Sequence, residues 1–490
     1  MEQFKMEWDD LLSGVRLRKR EIATRDNEYD QRNDFDDDYS RLIFSSSVRR
    51  LQDKAQVFPL DSSDFIRTRL THSHEVSTIG RSLGISIEKK LNSEGKLHEK
   101  HIGKISSLLA VAGLVHDLGN PPYGHFGEAA IQQFFKDWFK TEEGKKVKEE
   151  IGPEKAADFE YFEGNAQTFR LLTRLHNLKH EYGYDLSVAS LASIIKYPRS
   201  STEGNKNSEK RKAAKLGISY KKFGYLQSEK EKFEQLIEFT GIGKYRHPVT
   251  FLLEAADDIA YSAADIEDGC KKSVLDYTSI EVVLKKHLAN GSEDEKYLYN
   301  YFVNKYQENV KMGRADKLDN TVQRFRIKAQ GYMIKSVVKK FLEVHDDILT
   351  GSFDKDILKA SDARNVRLAF EDLAYQIFKD KEILVREITG GAVIDGLLER
   401  FVGAVLSEDR LKPNTKDGKL YLLISGNYRD IMDSTIILRT NGNGEGTHPE
   451  EAEKQGPTTY EKLLLVTDFV CGMTDTYALD LYRRLTGIKL

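Results

Sequence analysis

Cysteine is nearly absent: Cys270 and Cys471 are the only two in 490 residues. Two distant thiols cannot form a disulfide framework, and no CxxC spacing offers a metal clasp, so the sequence points to a reducing compartment. Long apolar runs are missing as well. No stretch of about 18 apolar residues occurs, as a membrane-spanning helix requires, and the opening MEQFKMEWDDLLSGVRLRKRE lacks the apolar centre of a secretory signal. The expected location is therefore cytoplasmic, with no membrane partner. An excess of one charge is also lacking: net charge is -3 with 31% charged residues. The chain as a whole exerts no pull on nucleic acid or lipid, so any polyanion site must be local.

Proline is scarce too, nine residues in all, and apolar residues recur at spacings of three and four almost throughout, which predicts a mostly helical protein. SEDEKYLYNYFVNKYQENVKMG and KEILVREITGGAVIDGLLERFVGAVL read as long amphipathic helices, whereas KLYLLISG near Lys419 fits a short strand or a buried helical turn. Residues 199–232, rich in Lys, Ser and Gly, and residues 441–459 interrupt the pattern and read as loop insertions. One dominant helical domain over residues 1–490 is expected, with no internal repeat.

Three stretches gather chemistry. In RTRLTHSHEVSTIGRSLGISIEKKL, Val76, Ile79, Leu83, Ile87 and Leu91 define a buried helix face. His72 shares that face, while His74 lies about 200° round the helix from it. Alone, His72 fits a histidine satisfied by a core hydrogen bond as well as a ligand. In LLAVAGLVHDLGNPPYGHFGEAAI, an apolar helix breaks at Gly119, Pro121 and Pro122, placing His116 and Asp117 at its buried end. A histidine there suits the helix carbonyl end, but an unpaired buried aspartate costs several kcal/mol unless a cation compensates it. In FLLEAADDIAYSAADIEDG, Leu252, Ala255, Ala256, Ile259, Ala263 and Ile266 form one face, with Asp257, Tyr261 and Asp265 opposite. Periodicity alone allows that polar face to meet either water or a cleft.

The order His72, His116-Asp117, Asp257 resembles the H…HD…D pattern of HD-domain phosphohydrolases. RRLQDKAQVFPL, RTRLTHSHEV, HDLGNPPYGHFGE, FEGNAQTFRLL, RHPVTFLLEAADDIAYSAADIED and DFVCGMTDTYALDLYRRL narrow it. In this order they resemble blocks of the bacterial deoxyguanosinetriphosphate triphosphohydrolases across nearly the whole chain. That family is all-α, which implies an HD-domain helical core over residues 60–270 with further helical excursions and loops. The resemblance makes His72, His116, Asp117 and Asp257 ligands of a divalent metal. Manganese or magnesium comes first, and iron, cobalt or zinc is also compatible with such donors. It selects Asp257 over Asp258, because the family's ligand precedes the tyrosine matched by Tyr261 by four positions.

The resemblance also assigns a catalytic role to His125 and Glu128, a pair placed to move and recharge a proton. The implied reaction is hydrolysis of dGTP at the α-phosphorus, giving deoxyguanosine and triphosphate. Broader deoxynucleotide hydrolysis gated by an effector nucleotide is an alternative, and so is a catalytically silent nucleotide or single-stranded DNA binding regulator. Tyr261 and Asp265 would face the triphosphate and sugar, and Gln56 the sugar and base. Arg69 is a phosphate clamp by its guanidinium fork. Lys196, Lys222, Arg324 and Arg326 are further phosphate candidates on charge and neighbourhood alone, and Asn165 and Asp475 match family blocks. Family members are homo-oligomers, often hexamers, and some bind single-stranded DNA.

Overall fold

Thr68 begins the first central helix, α1 (Arg69–Ser93), by a reciprocal cap: its hydroxyl accepts from the Thr71 N–H, and Thr71 Oγ1 accepts from the Thr68 N–H. Val76, Leu83, Ile87 and Leu91 of α1 are fully buried, each contributing roughly 1.5–3 kcal/mol relative to exposure. Ile79 is only half-buried, and His74 is exposed, on the opposite side from the buried His72.

The structure is a computed structural model that describes residues 4–18, 29–61, 63–176, 182–204, 216–441 and 456–488. Among the described residues the chain is all-α, with only two isolated β-bridges, Arg16 to Ser187 and Ala55 to Thr68. No described helix is long and apolar enough to cross a membrane.

Antiparallel to α1 runs α2 (Lys104–Val115), buried on every side from Ile105 onward. Their backbones touch: a Cβ on Gly113 would lie 2.6 Å from Ser77 Cα. Ser77 Oγ donates to the Ala110 carbonyl at 2.9 Å across the same seam. The helix ends at Val115, so His116 and Asp117 begin the turn that follows instead of closing the last helical turn. That turn presses on α4 (Gly164–Thr173). A Cβ on Gly119 would fall 2.2 Å from the Thr168 nitrogen, and the Gly119 N–H donates to Thr168 Oγ1 at 2.9 Å. Beyond the prolines, α3 (His125–Trp138) starts at His125.

The third central helix, α5 (Pro248–Lys271), has proline in its first turn and His247 Nδ1 accepting from the Val249 N–H at 3.1 Å. It packs against α1 and α2, and against α7 (Lys317–Glu343) and α8 (Arg364–Ile377). The two long amphipathic stretches fold as α6 (Glu293–Lys311) and α9 (Lys381–Leu406), while KLYLLISG supplies a helix, Lys416–Leu423. Near the C-terminus come α10 (Thr459–Cys471) and α11 (Asp475–Leu485). Buried apolar side chains from Met6 to Leu481 form one contiguous core.

Of the expected insertions, residues 199–204 and 216–229 carry only turns and short 3-10 segments, but a helix, Lys230–Thr240, begins inside the expected bound. Residues 205–215, which hold the lysine-rich start of that insertion, and residues 442–455 lie outside the described residues.

Candidate metal centre

Three helices separated widely in sequence bring their polar side chains to one point. His72 comes from the first turn of α1, His116 from the turn after α2, and Asp257 from the middle of α5. One donor atom from each lies within 4.8 Å of the other two. His72 Nε2 is 3.1 Å from Asp257 Oδ1, and His116 Nε2 is 3.5 Å from the same oxygen. His116 Nδ1–H donates to the Gly113 carbonyl at 2.8 Å. That bond fixes the ring and leaves Nε2 as its lone-pair nitrogen, an arrangement found around metal-bound histidines. Nε2 is buried and has no hydrogen-bond partner among the described residues. A pair of imidazoles, a shared carboxylate and an orphaned buried nitrogen fit a divalent cation.

Asp117 is close but turned. Its Oδ1 lies 3.6 Å from His116 Nε2, while Oδ2 pairs with the buried Arg69 guanidinium. Lys196 Nζ reaches Asp257 Oδ2 at 2.9 Å. Burial alone would raise the pKa of both aspartates; Lys196 and then His116 hold Asp257 well below the carboxylate range, and His116 and Arg69 do the same for Asp117. Burial would likewise depress His116, but Asp117 and Asp257 outweigh it and raise its pKa. The centre therefore holds two ionised carboxylates beside a basic nitrogen, in competition for a proton or a cation.

His125 opens a second cluster. Its side chain is exposed at the first position of α3. Desolvation lowers its pKa, Glu128 works in the opposite direction, and Lys222 and Arg69 add to the lowering. Glu128 Oε1 lies 3.1 Å from Lys222 Nζ, and Oε2 accepts from the Gly164 N–H at 3.3 Å. Lys222 is shared with Glu163, 2.6 Å away, and burial together with Glu128 pushes Glu163 up to about 7. Asn165 Nδ2 donates to Glu163 at 2.5 Å, so it supports this cluster and does not point at the histidines.

The remaining expected residues divide. Gln56 keeps a buried Oε1 without a partner, and so does Oδ2 of Asp265, which is 2% exposed. Burial pushes the Asp265 carboxyl well above its ordinary range. Asp475 accepts from the backbone N–H groups of Ala55 and Tyr123, both at 2.9 Å, and thereby fixes the loop before Gln56. Arg326 pairs with Glu267 at 3.2 Å, about 15 Å along α5 from Asp257. Arg324 is exposed on α7.

Two residues escaped the sequence reading. Glu163 stands in the quoted block FEGNAQ as an unexplained carboxylate. Arg367 of α8 has no local signal at all: its guanidinium lies 5.5 Å from the centre of the Tyr261 ring and 2.9 Å from Asp258 Oδ1. Asp258, pushed up to about 7 by burial against the pull of Arg367, is thereby occupied away from the histidines.

A family model described as HD domain matches residues 69–212, so the chain carries an HD domain and is a hydrolase of that class. It is 39% identical to a deoxyguanosinetriphosphate triphosphohydrolase-like protein of Listeria innocua serovar 6a, over 99% of this chain and 100% of the relative. A protein of the same description from Synechocystis is 34% identical over 99% and 100%. A deoxyguanosinetriphosphate triphosphohydrolase of Salmonella paratyphi A is 29% identical over 93% and 94%. The chain belongs to the deoxyguanosinetriphosphate triphosphohydrolase-like family.

Proposed function

We propose that this protein hydrolyses dGTP to deoxyguanosine and inorganic triphosphate, with His72, His116, Asp117 and Asp257 holding a divalent cation, manganese or magnesium. The observation that carries the reading is the convergence of His72, His116 and Asp257 within 4.8 Å around an unpartnered buried nitrogen. The deoxyguanosinetriphosphate triphosphohydrolase relatives support the substrate. A bound cation supplies an activated water and polarises a phosphoryl oxygen.

The chain's own residues do the rest. Arg69, whose Nε is buried and unpartnered, and Lys196 neutralise phosphate oxygens beside Asp257. Water oxygen bonds to the α-phosphorus, releasing a proton to solvent, as the bond from phosphorus to the 5′ oxygen breaks. The departing oxygen needs a proton, which His125 supplies at Nδ1 or Nε2. An arriving triphosphate raises the basicity of His125, and Glu128 favours its charged form. Lys222 and Gly164 hold Glu128 in place. Tyr261 and Asp265, further along α5, meet the sugar, and Gln56 offers its unpaired oxygen to the base.

The test is a panel of the four deoxynucleoside triphosphates, alone and in pairs, given to metal-depleted protein with each cation added back. Triphosphate release from dGTP with manganese or magnesium is expected. Equal cleavage of dATP or dCTP without an effector would remove the guanine assignment; no release under any condition would remove the reaction.

A further inference from the structure

A second cavity lies beside the first turns of α5. Phe251, one of its walls, precedes Asp257 by six residues, about 9 Å along the helix. The cavity measures about 100 Å³; a single water needs roughly 10–15 Å³, so one tetrahedral oxyanion with attendant water fits.

Two nearly buried arginines line it, Arg199 at 6% exposure and Arg246 at 3%. The Arg199 guanidinium carbon stands over the Tyr220 ring, 3.8 Å from its centre, and that of Arg246 over Phe251 at 4.2 Å. Each ring covers one side of its guanidinium and favours its charge. Arg199 Nη1 donates to the Pro198 and Lys244 carbonyls at 2.6 and 2.7 Å, and Arg246 pairs with Glu254. Among the described residues, Arg199 Nε and both Nε and Nη1 of Arg246 are buried without partners. A buried donor left unmet is destabilising. Lys244 adds an exposed cation at the wall.

One acidic wall decides what kind of anion fits. Asp354 accepts from the Ser219 hydroxyl at 2.7 Å and from the Ser219 N–H at 3.2 and 3.3 Å, which leaves lone pairs on both oxygens. A carboxylate repels a fully deprotonated oxyanion but accepts from one that keeps a hydroxyl. Inorganic phosphate retains a P–OH near neutral pH and a monoester retains one in its monoanion, with a second pKa of about 6; sulfate does not.

We infer that this cavity is a binding site for a protonated phosphoryl group, either inorganic phosphate or the phosphate of a small monoester, separate from the metal centre. The arginine edges take the oxygens, and Asp354 takes the proton.

The experiment is calorimetric titration of the full chain, with EDTA present, using inorganic phosphate, methyl phosphate and sulfate. Phosphate is expected to bind at one site and sulfate at least 10-fold more weakly. Arg199→Gln should weaken phosphate at least 10-fold, and the exposed Lys244→Gln, which spares the buried bonds, several-fold. Asp354→Asn should erase the preference over sulfate, while Asp257→Asn should leave phosphate affinity unchanged. Tighter binding of methyl phosphate than of phosphate identifies the ligand as a monoester, and the reverse identifies free phosphate. Absence of binding, equal binding of sulfate, unchanged affinity in both cation variants, or loss of binding in Asp257→Asn would overturn the inference.

Discussion

Lys196 Nζ lies 2.9 Å from Asp257 Oδ2, on the carboxylate whose other oxygen faces His72 and His116. One aspartate thus serves a histidine pair and a lysine at once. Under the proposed function the lysine would compete with a cation for Asp257 but attract phosphate. Lys196→Gln is therefore expected to leave cation affinity equal or tighter, while kcat/KM falls at least about 10-fold, mostly through KM. Cation titration beside steady-state kinetics checks this; weaker cation binding would show that the lysine shapes the centre itself.

His116→Ala removes both the orphaned Nε2 and the ring held by Gly113. The expected result is joint loss of cation binding and hydrolysis, by more than about 100-fold, since a bound cation supplies several kcal/mol. Retained turnover in this variant would sink the metal assignment.

Glu128→Gln should lower kcat by about 100-fold or more without unfolding, because Lys222 keeps Glu163 as a partner. Lys222→Met should lower stability as well as kcat, because the lysine also holds Glu128. It strands two neighbouring carboxyls, and loss of a buried partner costs about 3–5 kcal/mol. Denaturant unfolding compared with kcat separates the two variants, and a destabilised Glu128→Gln would refute the division of roles.

Asp158 is buried and receives the Tyr460 and Ser201 hydroxyls and the Gln227 N–H, yet burial outweighs these donors and pushes it up to about 7. A carboxyl with a raised folded-state pKa stabilises fully below its unfolded value of 3.8, and this contribution is lost as pH rises through about 7. The slope reaches at most about 1.4 kcal/mol per pH unit. Wild type should therefore exceed Asp158→Asn in stability by more at pH 5 than at pH 8, as read from denaturation midpoints. An advantage that grew with pH would mean the carboxyl is ionised in the fold.

Gly119→Ala would thrust a methyl 2.2 Å from a backbone nitrogen of α4. Overpacking costs about 1–3 kcal/mol where side chains can yield, and backbone yields least, so the upper end is expected. The displaced turn carries Asp117, so activity should fall further than stability; an active, stable variant would contradict this packing.

Much of this was legible in the sequence. Helical phase separated His72, buried in α1, from the exposed His74, because that choice depends only on spacing along one helix. The two long amphipathic runs became α6 and α9 for the same reason. Phase could not say whether the polar face of α5 met water or a cleft, since neighbours from elsewhere in the chain decide it. Arg367, more than a hundred residues away, is such a neighbour. Lys196 and Lys222, chosen on charge and neighbourhood, stand beside Asp257 and Glu128, whereas Arg324, chosen equally, stands in solvent. Charge identifies candidates and topology sorts them.

Asp257, Tyr261 and Asp265 occupy successive turns of α5, so they are spaced about 6 Å apart along a rigid rod. Such a rod works as a ruler. Under the proposed function it would space the ligand's contacts outward from the cation end, so length would be selected before chemistry. One residue inserted between Asp257 and Asp265 would rotate every later mark by about 100°, leaving the cation end intact and the scale beyond it unreadable.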